Sequence, residues 1–267
     1  MTNFRFLAGF ILVAGFAAAP SRADDGRWVF STGVDYTNGK YGEAQDTTIV
    51  TVPLTATYAK ERWSATVTVP FVSVDGPGTI VPGGLGNGGP LGGLLGGADA
   101  ASPISPGGVN EMGLGDVSLA VSAIPVVTSG GTQFSVTGRV KAPTADADRS
   151  LGTGEAAAAI VGGVRQPIGS RSAVYGSVGY EQAFSGGGSG VIANVGAESY
   201  VAKGVQIGAT MDFEQASSEL TRDATVAGAY VGFDVSSSAK LQAYGSAGLT
   251  DTSPDVGAGL RIVFSAN

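Results

Sequence analysis

The segment GVQIGATMDFE, residues 204–214, alternates between apolar and polar or small side chains at every position. Because successive side chains of an extended chain point to opposite faces, one face would carry Val205, Ile207, Ala209, Met211 and Phe213. The other face would carry Gln206, Gly208, Thr210, Asp212 and Glu214. A strand with one apolar and one polar face fits the wall of a membrane barrel, with lipid outside and water inside.

The same two-residue period recurs along the chain, whereas helical periodicity is almost absent after residue 23. Each alternating segment is long enough to cross a membrane as a tilted strand of about 9–11 residues. We predict twelve strands, at 28–36, 47–59, 62–73, 113–125, 132–142, 156–167, 171–184, 190–201, 204–215, 224–235, 239–250 and 255–265.

The connections between these strands alternate in length. Those after strands two, four, six, eight and ten are short, whereas those after strands one, three, five, seven and nine are mostly longer and polar or Gly-rich. Outer-membrane barrels have short periplasmic turns and longer external loops. The sequence therefore predicts an all-β fold, an antiparallel transmembrane β-barrel of about twelve strands with both termini in the periplasm.

The first 23 residues have the pattern of a cleaved secretory signal. Arg5 precedes an apolar run from Phe6 to Ala19, and Ser21-Arg22-Ala23 places small residues at a cleavage site before Asp24. The run is shorter than the roughly 20 residues that a membrane-spanning helix needs. We predict a signal peptide at 1–23 and a barrel at 24–267, located in the outer membrane of a Gram-negative cell.

Composition narrows the function. Charged residues make up 14% of the chain, Gly occurs 44 times and the net charge is −7, which argues against a nucleic-acid partner. The chain has no His and no Cys, which removes His-based triads and general bases and most zinc chemistry. We expect no enzyme, no catalytic residues, no cofactor and no metal site.

Residues 74–112 form a long segment rich in Gly and Pro with interspersed Leu, Ile and Val. Gly84, Gly86 and Gly89 satisfy a GxGxxG spacing, but no βαβ unit surrounds them, so dinucleotide binding is rejected. Three interpretations stay open: a loop that folds inward and narrows the lumen, a disordered surface loop, or an external flap. The flap would touch apolar ligands or lipopolysaccharide through Leu85, Leu91, Leu94 and Leu95.

The strand registers place nine charged residues on the inward face, where the cost of a charge facing lipid is avoided. Both signs are present, so no clear ion selectivity is predicted. These candidates for lining the lumen are Asp35, Asp116, Arg139, Lys141, Arg165, Glu198, Asp212, Glu214 and Arg261.

Three motifs carry a resemblance to a known family: GLGD at 113–116, RVKAPTAD at 139–146 and LGTGE at 151–155. In order and spacing they resemble the outer-membrane transporter family of the meta-pathway of phenol degradation, over roughly residues 110–185. The loop at 74–112 is not part of that pattern. The resemblance implies a barrel that moves small, often aromatic, compounds across the outer membrane, and it brings no catalytic residues.

The leading hypothesis is passage of small solutes, aromatic or hydrophobic ones included, through a narrow, gated or partly plugged barrel. The alternatives are a structural or surface-binding barrel with a filled lumen and an outer-membrane lipid-modifying enzyme. The rival fold is a soluble periplasmic β-sandwich. Expected partners are outer-membrane lipids, lipopolysaccharide and the barrel-insertion machinery. That machinery recognises a C-terminal signal, and the spacing of Gly259, Ile262 and Phe264 matches this signal, although Ser265-Ala266-Asn267 follow.

Overall fold

The computed structural model describes residues 26–78, 80–82, 108–184, 188–215 and 223–266. The predicted signal peptide at 1–23 lies outside the described residues, as do residue 79 and residues 83–107 of the predicted long loop. No helix among the described residues is long and apolar enough to span a membrane.

Within these ranges the regular secondary structure is almost entirely β-strand. Its only regular helical element there is a single 3₁₀ turn at Ala147–Arg149. The strands are β1 Arg27–Gly39, β2 Thr47–Lys60, β3 Trp63–Gly76, β4 Val109–Leu114, β5 Val117–Val127, β6 Gln133–Ala142, β7 Ala157–Ile168, β8 Ser172–Ala183, β9 Ser189–Ala202, β10 Val205–Glu214, β11 Ala224–Asp234, β12 Ala239–Gly248 and β13 Val256–Ala266.

The strands close into one antiparallel barrel. Apart from β4 and β5, each strand pairs with its neighbours in the chain, and β1 pairs with both β2 and β13, which closes the sheet. β4 and β5 both pair with β3 and together form the fourth strand of the barrel. The barrel therefore has twelve strands, as the sequence predicts, and its sheet is closed by the β1–β13 pairing.

The fourth barrel strand departs from the prediction. It begins at Val109 rather than at residue 113, and a β-bulge at Gly115 and Asp116 interrupts it. Leu114 stays opposite Phe71 and Ser118 stays opposite Thr68, so the β4–β5 side has one residue more than β3 between these pairs.

The two ends of the barrel differ in their connections. We call the end with connections 61–62, 128–132, 169–171, 203–204 and 235–238 the short-turn end, and both ends of the described chain lie there. The other end, the long-loop end, has connections 40–46, 77–108, 143–156, 184–188, 215–223 and 249–255. The predicted alternation of short and long connections is confirmed, while the assignment of the short-turn end to the periplasm stays a prediction.

The wall has one polar and one apolar face, which β6 illustrates. Its inward residues from Gln133 to Lys141 are all buried, and its outward residues, such as Phe134 and Val136, are each 45% exposed. Comparable outward exposure of large apolar side chains occurs on every barrel strand. An apolar area of that extent on a soluble protein would be anomalous, but it is what a lipid-facing barrel wall requires.

Aromatic side chains cluster on the outer surface at the short-turn end. Tyr58 lies between Trp28 and Trp63, with ring-centroid separations of 5.3 and 5.6 Å. Interfacial aromatic residues of this kind mark the boundary between hydrocarbon and water in membrane barrels.

Candidate functional site: the barrel interior and its mouth

All nine predicted charged residues lie on strand positions that face the interior, or, for Asp116, on the bulge with its side chain buried. Six are buried and three, Arg165, Glu214 and Arg261, are partly exposed. The structure does not gather them into one site. The buried residues are Asp35, Asp116, Arg139, Lys141, Glu198 and Asp212.

The first group lies at the bulge, where Asp116 and Lys141 form a buried ion pair. Their oxygen and nitrogen are 3.5 Å apart, and both side chains are about 95% buried. Asp116 Oδ1 also accepts a hydrogen bond from the backbone N–H of Ala145, at 2.9 Å. Lys141 Nζ donates to the hydroxyl of Thr153 at 2.7 Å. Asp116 therefore ties the β6–β7 loop to the interior wall.

Thr144 completes this junction by occupying the bulge itself. Its hydroxyl donates to the carbonyl of Gly115 at 3.2 Å and accepts from the N–H of Val117 at 2.9 Å. The bulge interrupts the strand ladder here, so the side chain satisfies backbone groups on both sides of the interruption. The three motifs that carry the family resemblance thus meet in one cluster, which we call the bulge junction: Gly115, Asp116, Lys141, Thr144, Ala145, Gly152 and Thr153.

Close packing explains the glycine at 152. A Cβ there would lie 2.5 Å from the Cβ of Ala145 and 2.9 Å from Oδ2 of Asp116. Any larger residue would therefore push the loop away from Asp116.

The second feature is a set of three buried apolar side chains in two connections of the long-loop end, Ile80, Val81 and Leu151, which we call the plug. All three side chains are at most 3% exposed. Ile80 belongs to one cluster of buried side chains with Tyr41, Ile49, Val72 and Val74. Residues 80 and 81, near the beginning of the predicted long loop, therefore lie against inward-facing side chains of the wall. The three sequence interpretations of the loop as a whole stay open. Leu85, Leu91, Leu94 and Leu95, and the GxGxxG glycines, lie outside the described residues.

Polar contacts hold the plug together. Ser150 donates from its hydroxyl to the carbonyl of Gly78 at 3.4 Å, which joins the two connections that carry the plug. Tyr41 donates from its hydroxyl to Thr37 at 2.7 Å. Burial raises the pKa of Tyr41 to about 12, so its phenol stays neutral and compatible with the apolar surroundings.

We call the opening of the barrel at the long-loop end the mouth. Along β7 to β10 its lining is polar, unlike the lining beside the plug. A small cavity of about 30 Å³ lies there, large enough for roughly one water molecule. Three glutamates and one lysine line it: Glu155, Glu181, Glu214 and Lys141. The mouth thus has an apolar, plugged side and a polar side with a cavity.

A third group lies deeper in the barrel. Arg165 of β7 forms an ion pair with Glu198 of β9, and Tyr230 of β11 donates its hydroxyl to the same carboxylate at 2.9 Å. Nearer the short-turn end, Lys240 donates to Gln206 at 2.8 Å and lies 3.5 Å from Asp234. The Arg165–Glu198, Tyr230–Glu198 and Lys240–Gln206 contacts each pass over one intervening strand, whereas Lys240 and Asp234 lie opposite each other on paired strands.

Three tyrosine rings lie along the inner wall over glycines of adjacent strands. Tyr230 lies directly opposite Gly208 on the paired strand, and its ring covers this glycine. A Cβ added to Gly208 would be 2.3 Å from atoms of the ring. Tyr244 covers Gly259 in the same way, and Tyr175 covers Gly196. The glycines leave room for the rings to lie flat against the wall instead of projecting across the lumen.

Sequence reasoning missed several of these residues. Lys240, Tyr244 and Glu181 follow the same alternation that identified the nine candidates, because Leu241 and Tyr180 beside them point outward. The signal was therefore present in the strand registers. The tyrosine–glycine pairs required the cross-strand register, which one strand alone does not contain.

The closed sheet, apolar outer surface and polar interior define the class of protein: this is a β-barrel of the outer-membrane type. Among solved structures, the chain is similar to the COG4313 outer membrane channel from Pseudomonas putida F1, with 13% identity, 92% of this chain and 99% of that chain covered, and a TM-score of 0.70. It is also similar to the KdgM porin in complex with disordered oligogalacturonate, at 8% identity, with 90% and 99% covered and a TM-score of 0.56.

A third similar structure is the beta domain of the Bordetella autotransporter BrkA, at 14% identity, with 91% of this chain and 100% of that chain covered and a TM-score of 0.52. Likeness at such low identity concerns the fold, and the three structures are a channel, a porin and an autotransporter domain. No family model and no curated protein matches the chain. Membership of the phenol-degradation transporter family therefore stays a prediction.

Proposed function

We propose that this protein is an outer-membrane channel that lets small solutes pass through a narrow, polar interior. The observation that carries the proposal is the two-faced wall, in which charged residues of both signs line the inside of a closed twelve-stranded barrel. Arg165, Glu214 and Arg261 are partly exposed, so water reaches the interior face. The names of two similar structures, an outer membrane channel and a porin, agree with this role.

The route of a solute would follow the polar side of the mouth. On the side of the plug, the buried side chains of Ile80 and Leu151 present apolar atoms. A polar solute would instead enter beside Glu181, Glu214 and Lys141, where the cavity lies. Desolvating a polar solute against an apolar plug is unfavourable, so the charged side offers the path of lower free energy.

The path is narrow. Interior side chains such as Thr57, Gln206 and Asp212 are at most 2% exposed, so side chains fill much of the lumen. A twelve-stranded barrel lies between the filled eight-stranded barrels and the open porins of sixteen strands. We therefore propose that only small solutes pass, with small aromatic compounds as the class implied by the family resemblance.

The same burial favours a second candidate function, a structural or surface-binding barrel whose lumen is filled. Liposome swelling separates the two. Liposomes containing the folded protein should swell in a five-carbon sugar and stay unchanged in a trisaccharide. Swelling no faster than that of empty liposomes in both solutes would favour the filled barrel.

The placement in the cell belongs to the same proposal. We infer that residues 1–23 direct export, that the short-turn end faces the periplasm, and that the outer surface contacts lipid and lipopolysaccharide. Protease added to intact cells should cut a tag inserted at Gly42–Glu43, in a long-loop connection, and spare a tag inserted at Ser236–Ser237. The reverse pattern would contradict the orientation.

A further inference from the structure

Four interior residues on three adjacent strands form a patch that the bulge junction and the Arg165–Glu198 pair do not include. We call it the Asp35 patch: Asp35 of β1, Arg261 of β13, and Tyr244 and Ser246 of β12. Asp35 and Tyr244 are both directly opposite Gly259, from its two sides. Arg261 and Ser246 follow at two-residue spacing on the same inward face.

The geometry of Tyr244 links the members of the patch. A Cβ on Gly259 would be 2.3 Å from Cζ and the hydroxyl oxygen of Tyr244. The ring therefore extends from β12 across β13, with its hydroxyl directed to the side on which Asp35 lies. The guanidinium carbon of Arg261 is 5.9 Å from the centre of the same ring, a cation–π arrangement.

Three oxygen atoms of the patch are buried and have no hydrogen-bond partner among the described residues. They are Oδ2 of Asp35, the hydroxyl of Tyr244 and Oγ of Ser246. Asp35 is 3% exposed and Tyr244 is 6% exposed. Buried polar groups are almost always hydrogen-bonded, so these atoms are suited to a polar group that arrives from the lumen.

The two charges of the patch are also available to a solute. No ion pair between Asp35 and Arg261 is among those of the described residues, whereas Arg165 and Glu198 pair directly. Arg261 and Ser246 are partly exposed, so the patch is reachable from the lumen.

We infer that the Asp35 patch is a binding subsite for a small zwitterionic solute, with its ammonium on Asp35 and its carboxylate on Arg261. A solute with one charge would leave one of the two protein charges without a partner, which is costly in a site of low dielectric constant. The hydroxyls of Tyr244 and Ser246 donate to, or accept from, the same solute. That solutes pass this patch on their way through the barrel rests on the proposed function.

Binding to the folded protein in detergent micelles tests the inference without requiring conductance. Isothermal titration calorimetry would compare β-alanine, propionate, propylamine and glycerol. We expect β-alanine to bind about tenfold more tightly than propionate or propylamine, the difference made by one charge-assisted hydrogen bond. Equal affinity for β-alanine and either singly charged probe would overturn the inference, as would glycerol binding as tightly as β-alanine or no binding of any probe.

Variants assign the two contacts. D35N should abolish the preference for β-alanine over propionate, and R261Q should abolish the preference over propylamine. R171Q changes an exposed arginine in a short turn and should leave all affinities unchanged. A preference that survives both D35N and R261Q would refute the assignment, and the comparison of probes on the unaltered protein stands even if a variant does not fold.

If the protein binds β-alanine with the expected preference but liposomes do not swell, the subsite stands and the channel proposal fails. If liposomes swell but no probe binds preferentially, the channel stands and the subsite is wrong.

Discussion

Replacement of Asp116 should destabilise the barrel more than that of any single exposed charge. Two unit charges 3.5 Å apart interact by about 5 kcal/mol at an effective dielectric constant of about 20. Asp116 also accepts the N–H of Ala145, a charge-assisted bond worth about 1.5–3 kcal/mol. Part of this total offsets desolvation, so we expect D116A to lower the free energy of unfolding by about 3–5 kcal/mol.

Asn at this position separates the two contributions. D116N retains an oxygen for the N–H of Ala145 and removes the charge that faces Lys141, so we expect a loss of about 2 kcal/mol. The double variant D116N/K141M removes both charges together. It should lose less stability than the sum of the two single variants, by about 2 kcal/mol.

Urea unfolding in short-chain phosphatidylcholine vesicles measures these differences. Trp28 and Trp63 are the two tryptophans of the chain, and both lie on the outer face at the short-turn end, far from the bulge. Their emission reports departure from lipid without direct interference from the substitution. A loss below 1 kcal/mol for D116A, or strict additivity in the double variant, would refute the role given to the bulge junction.

Three further perturbations follow from the same structure. I80A should lower stability by about 2–5 kcal/mol, because it leaves a cavity in the plug. It should also raise single-channel conductance, because a smaller side chain widens the opening beside the polar path; an unchanged conductance would show that the plug does not narrow this path. G208A should cost about 1–3 kcal/mol and reduce conductance, because the new Cβ meets a tyrosine ring at 2.3 Å. G138A, where nothing lies within 4 Å, is the matched control, and equal effects of the two variants on unfolding would contradict the packing argument. R139A/K141A removes two interior positive charges and should shift reversal potentials toward cation preference; unchanged potentials would exclude both from the ion path.

Much of the fold was predictable because a barrel wall is a local signal repeated twelve times. Each strand needs one lipid-facing and one interior face, so the alternation in a segment such as residues 204–214 is visible without knowledge of its neighbours. The short connections are local signals as well, for example Gly204 in a two-residue turn and Lys60-Glu61 between two alternating segments. The predicted boundaries accordingly agree with the observed strands to within a few residues, apart from the fourth.

The interior was less predictable because its contacts depend on register and closure. The strand pattern around Asp116 suggests an inward side chain, but the contact of Asp116 with Ala145 requires the bulge to place one extra residue opposite Pro70. The position of Ile80 could not be read from its own segment, since part of its packing surface comes from Tyr41 and Ile49, which are distant in the chain. Whether two charges pair across the lumen is likewise set by the closed barrel.

If solutes cross this barrel, single protein molecules in a planar lipid bilayer should carry current. We expect a small, steady conductance from the unaltered protein and a larger one from I80A. A protein that shows heat-modifiable migration on gels and inserts into the bilayer, but carries no current in either form, would refute the channel and leave the filled, structural barrel as the better description.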